Sequence, residues 1–275
     1  MTLHPATYSS VEQEVGGIAP GRFADMALLE SLESFRVQTT LIGGQVVAQE
    51  GQSLVQAAPI SVPQEMMHSL RLHSNISTEQ FMIRCPEENA KIRVIELLNQ
   101  NITAEKVMSV DARKGYVEAD VEQDLLKVAI FDRHDQIGKI AMGFLKGFGA
   151  KIGAVGTTTV LDENTLLIAG GNDADMALCA NALIESGGGM AVVNNGQMVE
   201  KIEFPAGGIF SLNPWRRVGQ DLGRIHRCLR ERGSQFERPL YALCFLPFVT
   251  LPSLRITARG LINAKERKIV PLFVD

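Results

Sequence analysis

The sequence has no excess of basic residues. Its 27 Lys and Arg are outnumbered by 31 Asp and Glu, giving a net charge of −4 and a pI near 5.8. That balance argues against a general nucleic-acid binder and against a binder of anionic membranes. No apolar run approaches the ~20 residues that cross a bilayer, and the longest, around Tyr241–Val249, is interrupted by Pro247. The opening MTLHPATYSS lacks a basic segment followed by an apolar one, so it does not read as a signal peptide. The four cysteines (Cys85, Cys179, Cys228 and Cys244) are far apart and form no CxxC pair. Such spacing fits reduced, mostly buried thiols and a cytoplasmic setting.

Catalytic motifs are equally scarce. The histidines His4, His68, His73, His134 and His226 form no HxH or HExxH pair. A binuclear metal site needs several His and carboxylate ligands with supporting partners, and five scattered histidines do not suggest one. The chain contains no GxSxG elbow, Walker A loop or GxGxxG fingerprint. No solenoid-period repeat or low-complexity tract is visible.

What is present is patterning. With 45% hydrophobic and 21% charged residues, the chain is composed like a globular protein that can bury a core. Its length suits one large domain or two smaller ones. A short helical or irregular lead-in precedes apolar strands at Ala24–Leu29 and Val37–Ile42, and Gly43-Gly44 signals a hairpin. Residues 52–63 carry little periodicity and two prolines, and read as a linker. Beyond them the pattern is mixed α and β. Ile92–Leu98, Lys127–Phe131 and Leu166–Ala169 read as strands. Asn172 reads as the N-cap of a helix with Asp173 and Asp175 in its first turn, ended by Gly187–Gly189. Asn194-Asn195-Gly196 signals a second hairpin. Pro214–Arg232 is the clearest helix, with Asn213 as its N-cap. Trp215, Val218, Leu222, Ile225 and Leu229 form its apolar stripe, and arginines line its outer face. That face could bind phosphate, but a solvated face with local pairing is the preferred reading.

Three places could carry chemistry. Glycines around Lys146 in Gly143–Gly149 could cradle an anion through backbone N–H groups, although close packing is the preferred reading. Gly170-Gly171-Asn172 opens a helix, where capping is the simpler role. Asp132-Arg133-His134 ends an apolar strand, where His134 could move protons and Arg133 could bind a carboxylate. A polar turn is the alternative reading there.

Together these stretches resemble a known family. DRHDQIGKIAMGFLKGFGAKIGAVGTTTV, LLIAGGNDADMALCANALIESGGGMAVVNNGQ and CFLPFVTLPSLRITARGLIN resemble the C-terminal region of bacterial adenine deaminases. Gly16–Glu30, GGIAPGRFADMALLE, resembles the closing signature of the wider amidohydrolase superfamily. The resemblance implies hydrolytic deamination of adenine to hypoxanthine and ammonia at a binuclear Mn- or Fe-type centre. That centre would be carried by a TIM-like barrel which this chain leaves no room for.

By resemblance, residues 1–51 are the end of the amidohydrolase region, part of a small β domain. Residues 64–275 are the appended α/β domain, a mixed α+β fold after the 52–63 linker. The expected chain is inactive alone and carries no metal or cofactor of its own. Its expected partners are a second copy or a barrel-bearing subunit, with a purine base as the family's substrate and neither nucleic acid nor membrane. Many family members carry His-Asp-Ser-His-Asn before the strand leading to the Gly-Asn-Asp helix. Here Leu161-Asp162-Glu163-Asn164-Thr165 stands there, and only the aspartate matches. An altered substrate, lost activity or loop drift would each explain the departure. The resemblance assigns no catalytic residue within this chain. Arg133, His134, Asp162 and Glu163 are the candidates for a site built from its own residues.

Overall fold

A computed structural model of the chain describes residues 2–56, 61–72, 75–85, 87–133 and 140–274. The chain divides into two compact units, Met1–Ser61 and Val62–Asp275.

In the first unit a short helix, α1 (Leu3–Tyr8), precedes β1 (Met26–Leu29), β2 (Val37–Ile42), β3 (Gln45–Gln49) and β4 (Gln52–Ser53). The strands form an antiparallel meander in sequence order. Gly43 and Gly44 turn the β2–β3 hairpin at φ +56° and +77°, the left-handed values a primed turn requires. Asp25 secures this turn by accepting from the Gly43 N–H at 2.7 Å. β4 lies inside the segment that reads as a linker in the sequence. The unit buries very little: among its described residues only Ala6 is buried.

In the second unit the strands are β5 (Ile83–Arg84), β6 (Asn89–Leu97), β7 (Thr103–Asp111), β8 (Tyr116–Val117), β9 (Leu125–Phe131), β10 (Ile140–Lys146), β11 (Ala154–Thr157), β12 (Leu167–Gly170), β13 (Gly189–Asn194), β14 (Gln197–Glu203), β15 (Leu254–Thr257), β16 (Gly260–Asn263), β17 (Lys268–Val270) and β18 (Phe273–Val274). The helices are α2 (Asp173–Glu185), α3 (Trp215–Glu231) and α4 (Pro239–Cys244). The main sheet runs β14-β13-β11-β12-β9-β10-β6-β18, with β7 also paired to β6. Only the β10–β6 pairing is parallel. The mixed α+β expectation is therefore met by a largely antiparallel sheet with helices packed on it.

β9 shows why this sheet is the core. All seven residues of Leu125–Phe131 are buried, as expected of a strand covered on both faces. Side chains alternate across a strand. Leu126, Val128 and Ile130 therefore join the cluster under α3, α4 and the β15–β17 sheet, while Ala129 and Phe131 join the cluster under α2. Gly143 on β10 lets the small sheet come close. A Cβ there would lie 3.1 Å from Leu261 and 3.2 Å from Ile256.

Two local expectations take a definite form. The amides of the glycine run after β10 do cradle an anion, and it belongs to the chain. The Asp124 carboxylate accepts from Gly147 N–H at 2.7 Å and Gly149 N–H at 2.8 Å. Asn172 caps α2 by accepting from the Asp175 N–H at 3.0 Å.

α3 needs two corrections. It starts at Trp215, with Pro214 rather than Asn213 at the cap and no side-chain cap bond. Pro214 contributes its carbonyl, which accepts from the N–H groups of Arg217 and Val218. Ile225 and Leu229 are buried and Val218 and Leu222 pack beside them, but Trp215 is 75% exposed. The helix packs against β14, the edge strand, while the indole of its first residue stays exposed. The arginine face is locally engaged. Arg217 and Arg224 lie 3.0 Å and 2.8 Å from the Asp221 carboxylate, and Arg224 also pairs with Glu200 at 3.2 Å. All four cysteines are free thiols. Among the described residues no helix is long and apolar enough to cross a membrane.

Candidate functional site

β9 and β12 are antiparallel neighbours, so the chain leaving β9 at Asp132-Arg133 meets the Leu161–Thr165 loop that enters β12. Two bonds seal the junction. Phe131 N–H donates to the Leu166 carbonyl at 3.0 Å, and the Thr165 hydroxyl donates to the Phe131 carbonyl. Asp162 and Asn164 take left-handed φ values of +71° and +45°, which Asp and Asn tolerate better than most residues. They make the loop tight enough to fold back on the strand end.

Arg133 is the clamp of this region. Its guanidinium donates to the Asn164 carbonyl at 2.7 Å, the Ser69 hydroxyl at 2.8 Å and the Gly207 carbonyl at 2.5 Å. Burial lowers its pKa from the usual arginine value. A planar fork of five N–H donors is suited to joining separate carbonyls, and here it ties together three segments far apart in sequence. The carboxylate-binding role considered for Arg133 competes with these bonds.

Glu163 faces the other way. Its two carboxylate oxygens lie 3.3 Å and 3.2 Å from the Ala258 N–H, which donates to them from the β15–β16 turn. Burial pushes the Glu163 carboxyl above the ordinary glutamate value. The Ala258 hydrogen bond opposes that rise, Asp132 adds to it, Arg259 opposes it and Asp162 adds to it. Of the four candidates, Asp162 and Glu163 lie on the loop that Arg133 ties down through the Asn164 carbonyl, and Asp132 and Asp162 act on the Glu163 carboxyl. His134 lies outside the described residues.

The shift has a sign that can be measured. A carboxyl whose folded pKa exceeds its unfolded value supplies stability that is fully present below the unfolded pKa, about 4.5 here. That stability is lost as pH rises through the folded value. Glu163→Gln removes the titration while keeping an acceptor for Ala258. The melting-temperature difference, variant minus wild type, is expected to be more favourable to the variant at pH 7 than at pH 4, by less than ~1 kcal/mol in stability for this partly solvated group. Thermal melts at the two pH values measure it; a pH-independent difference would contradict the assigned environment.

Two buried charges escape a sequence reading. Lys127 sits on β9 at 2% exposure. Its ammonium donates to both Asp173 carboxylate oxygens at 2.8 Å and 2.7 Å and to the Phe81 carbonyl at 3.0 Å. Arg255, at the centre of β15, is fully buried. It donates to the carbonyls of Leu251, Phe245, Asn101 and Pro252 at 3.3, 3.0, 2.9 and 2.6 Å. Burial brings it down to about 10, which leaves it charged at neutral pH. The available signal was a lone cation inside an apolar strand, in LLKVAIF and in SLRIT.

The sequence that folds this way matches a recognised class of domain. Residues 100–268 match the family described as the adenine deaminase C-terminal domain, and the chain belongs to that family. Over nearly its whole length it is similar to enzymes named adenine deaminase. It is 37% identical to the one from Moorella thermoacetica, over 99% of this chain and 46% of that protein. It is 34% identical to the one from Clostridium botulinum strain Loch Maree, over 100% of this chain and 46% of that protein. It is 32% identical to the one from Cenarchaeum symbiosum, over 96% and 43%. The chain thus spans less than half the length of these relatives.

The binuclear centre that the resemblance implies does not fit the residues described. Among them no group of three or more His, Cys, Asp or Glu side chains is arranged to hold a metal ion. The Asp132 and Asp162 charges act on the Glu163 carboxyl, and Glu163 is already engaged by a backbone N–H.

Proposed function

We propose that this chain is the carboxy-terminal, non-catalytic half of an adenine deaminase-type assembly. It would act by completing a metal-bearing barrel that is supplied by preceding sequence or by another subunit. The observation that carries the reading is the match itself, which takes in 99% of this chain but 46% of the Moorella thermoacetica adenine deaminase. The Met1–Ser61 unit supports it. Its four-stranded sheet has no buried residue in any strand, so it lacks the hydrophobic face that makes small sheets self-supporting. Its β1 edge is free to pair further, and proteins normally cover such edges. Strands contributed by a barrel-bearing half would cover both edge and face. A purine base would be the substrate of the assembly, held by the barrel half.

The test is assembly. The chain is mixed with a separately produced amino-terminal half of the Moorella thermoacetica enzyme and analysed by sedimentation. A stoichiometric complex, with amide exchange slowed in residues 26–49, is expected. Absence of a complex contradicts the reading.

A further inference from the structure

The first turn of α3 is the most conspicuous uncovered surface of the Val62–Asp275 unit. Trp215, the chain's single tryptophan, is 75% exposed, and Phe210 and Leu212 just ahead of it are 59% and 57% exposed. Large apolar side chains this exposed, and this close together in sequence, mark interaction surfaces. The patch is not an isolated accident of the surface. Trp215 continues the stripe whose later members, Ile225 and Leu229, are buried in the main core, so an apolar face that is buried further along α3 is exposed at its start. Arg216 lies over the indole with its guanidinium 4.7 Å from the ring centroid. Trp and Arg are the residue types most enriched at interface anchors.

Beside the patch an open cleft of about 370 Å³ lies between β14 and α3, lined by Lys201, Ile202, Glu203, Asn213, Arg217 and Asp221. Its charges are paired within each element, Lys201 with Glu203 along β14 at 3.0 Å and Arg217 with Asp221 along α3 at 3.0 Å. Paired charges around exposed apolar anchors form the polar rim and apolar centre of a protein-docking site. They do not form a charged pocket for a small ion.

We propose that the corner formed by Phe210, Leu212 and Trp215, with the β14–α3 cleft beside it, docks the amino-terminal half of an adenine deaminase-type enzyme. This rests on the assembly reading given above. The occupant follows from length. The relatives that match this chain end to end carry more than half of their sequence outside the match, and that half is the partner whose surface is unaccounted for. A second copy fits less well, because a two-fold axis at the patch would bring Arg216 and Arg217 of both copies together.

Trp215 provides its own probe. The emission maximum of the full chain is expected to be that of a water-exposed indole and to be independent of concentration. It is expected to move to shorter wavelength on adding the separately produced amino-terminal half of the Moorella thermoacetica adenine deaminase. Leu212→Ser, which keeps the probe, should weaken that association by roughly tenfold or more, and Trp215→Ala, followed by sedimentation, should do the same. A complex that forms with no emission change, and equally well with both variants, overturns this docking corner while leaving the assembly reading intact. No complex with wild type overturns both. A short-wavelength maximum in the chain alone assigns the cover to the chain itself, and one that develops with concentration assigns it to a second copy; either overturns the proposal.

Discussion

Replacing Arg255 with alanine is expected to lower the melting temperature by roughly 10 °C or more. The side chain is fully buried and supplies the donors for four carbonyls, those of Asn101, Phe245, Leu251 and Pro252. These join the segment before β7 to the end of α4 and the approach to β15. Removing the guanidinium strands buried acceptors, each worth ~1–3 kcal/mol when left without a donor, and opens a cavity as well. A net loss of about 4 kcal/mol is reasonable after relaxation. Arg255→Lys should rescue little. A single ammonium cannot reach carbonyls spread around a planar fork, and its charge would remain buried. Urea melts of the three proteins measure this. A lysine variant as stable as wild type would show that charge, and not the fork geometry, holds the site.

The second large effect is expected at Lys127. Its ammonium is desolvated on β9 and held by Asp173 in the first turn of α2 and by the Phe81 carbonyl. Lys127→Ala leaves a carboxylate and a carbonyl without their donor at the α2 face, an expected loss of ~3 kcal/mol. Lys127→Met combined with Asp173→Asn should recover part of it, because a buried pair replaced by neutral groups of similar volume is often tolerated. The double-mutant cycle should show a coupling of ~1–3 kcal/mol between the two positions. Additive single effects would mean that the pair is not a unit.

How much of this was legible beforehand can be argued element by element. Both hairpins were, because Gly43-Gly44 and Asn195-Gly196 place positive φ where primed turns need it. The α2 cap was, because Asn172 followed by two aspartates is a local signal with a local cause. The strands hidden in the glycine-rich run were not. β10 and β11 have the short, uniform apolar pattern of strands covered on both faces, which periodicity cannot separate from loop or helix. The nine-residue β7 was missed because its mixed polar pattern, TAEKVMSVD, is that of a strand paired to β6 with an outer face in solvent.

The candidate site was half visible. Proximity of Arg133 to the Leu161–Thr165 loop follows from the β9–β12 pairing, which sequence does not disclose. The acceptors that engage Arg133, at Asn164 and Gly207, are backbone carbonyls and carry no residue signature at all. Trp215 failed differently. Its spacing was right for the stripe, but Trp215 is 75% exposed where Ile225 and Leu229 are buried, and spacing alone does not say how far along a helix the burial reaches.

Under the proposed assembly, this chain contributes to an adenine deaminase-type enzyme whose reaction machinery lies in the other half. Incubating the purified 275-residue chain with adenine and Mn²⁺ or Fe²⁺, and following hypoxanthine and ammonia, tests it most directly. No hypoxanthine above the metal-only control is expected. Hypoxanthine formed at an enzyme-like rate by the chain alone would contradict it, and would require a site built from residues such as Asp132, Arg133, Asp162 and Glu163.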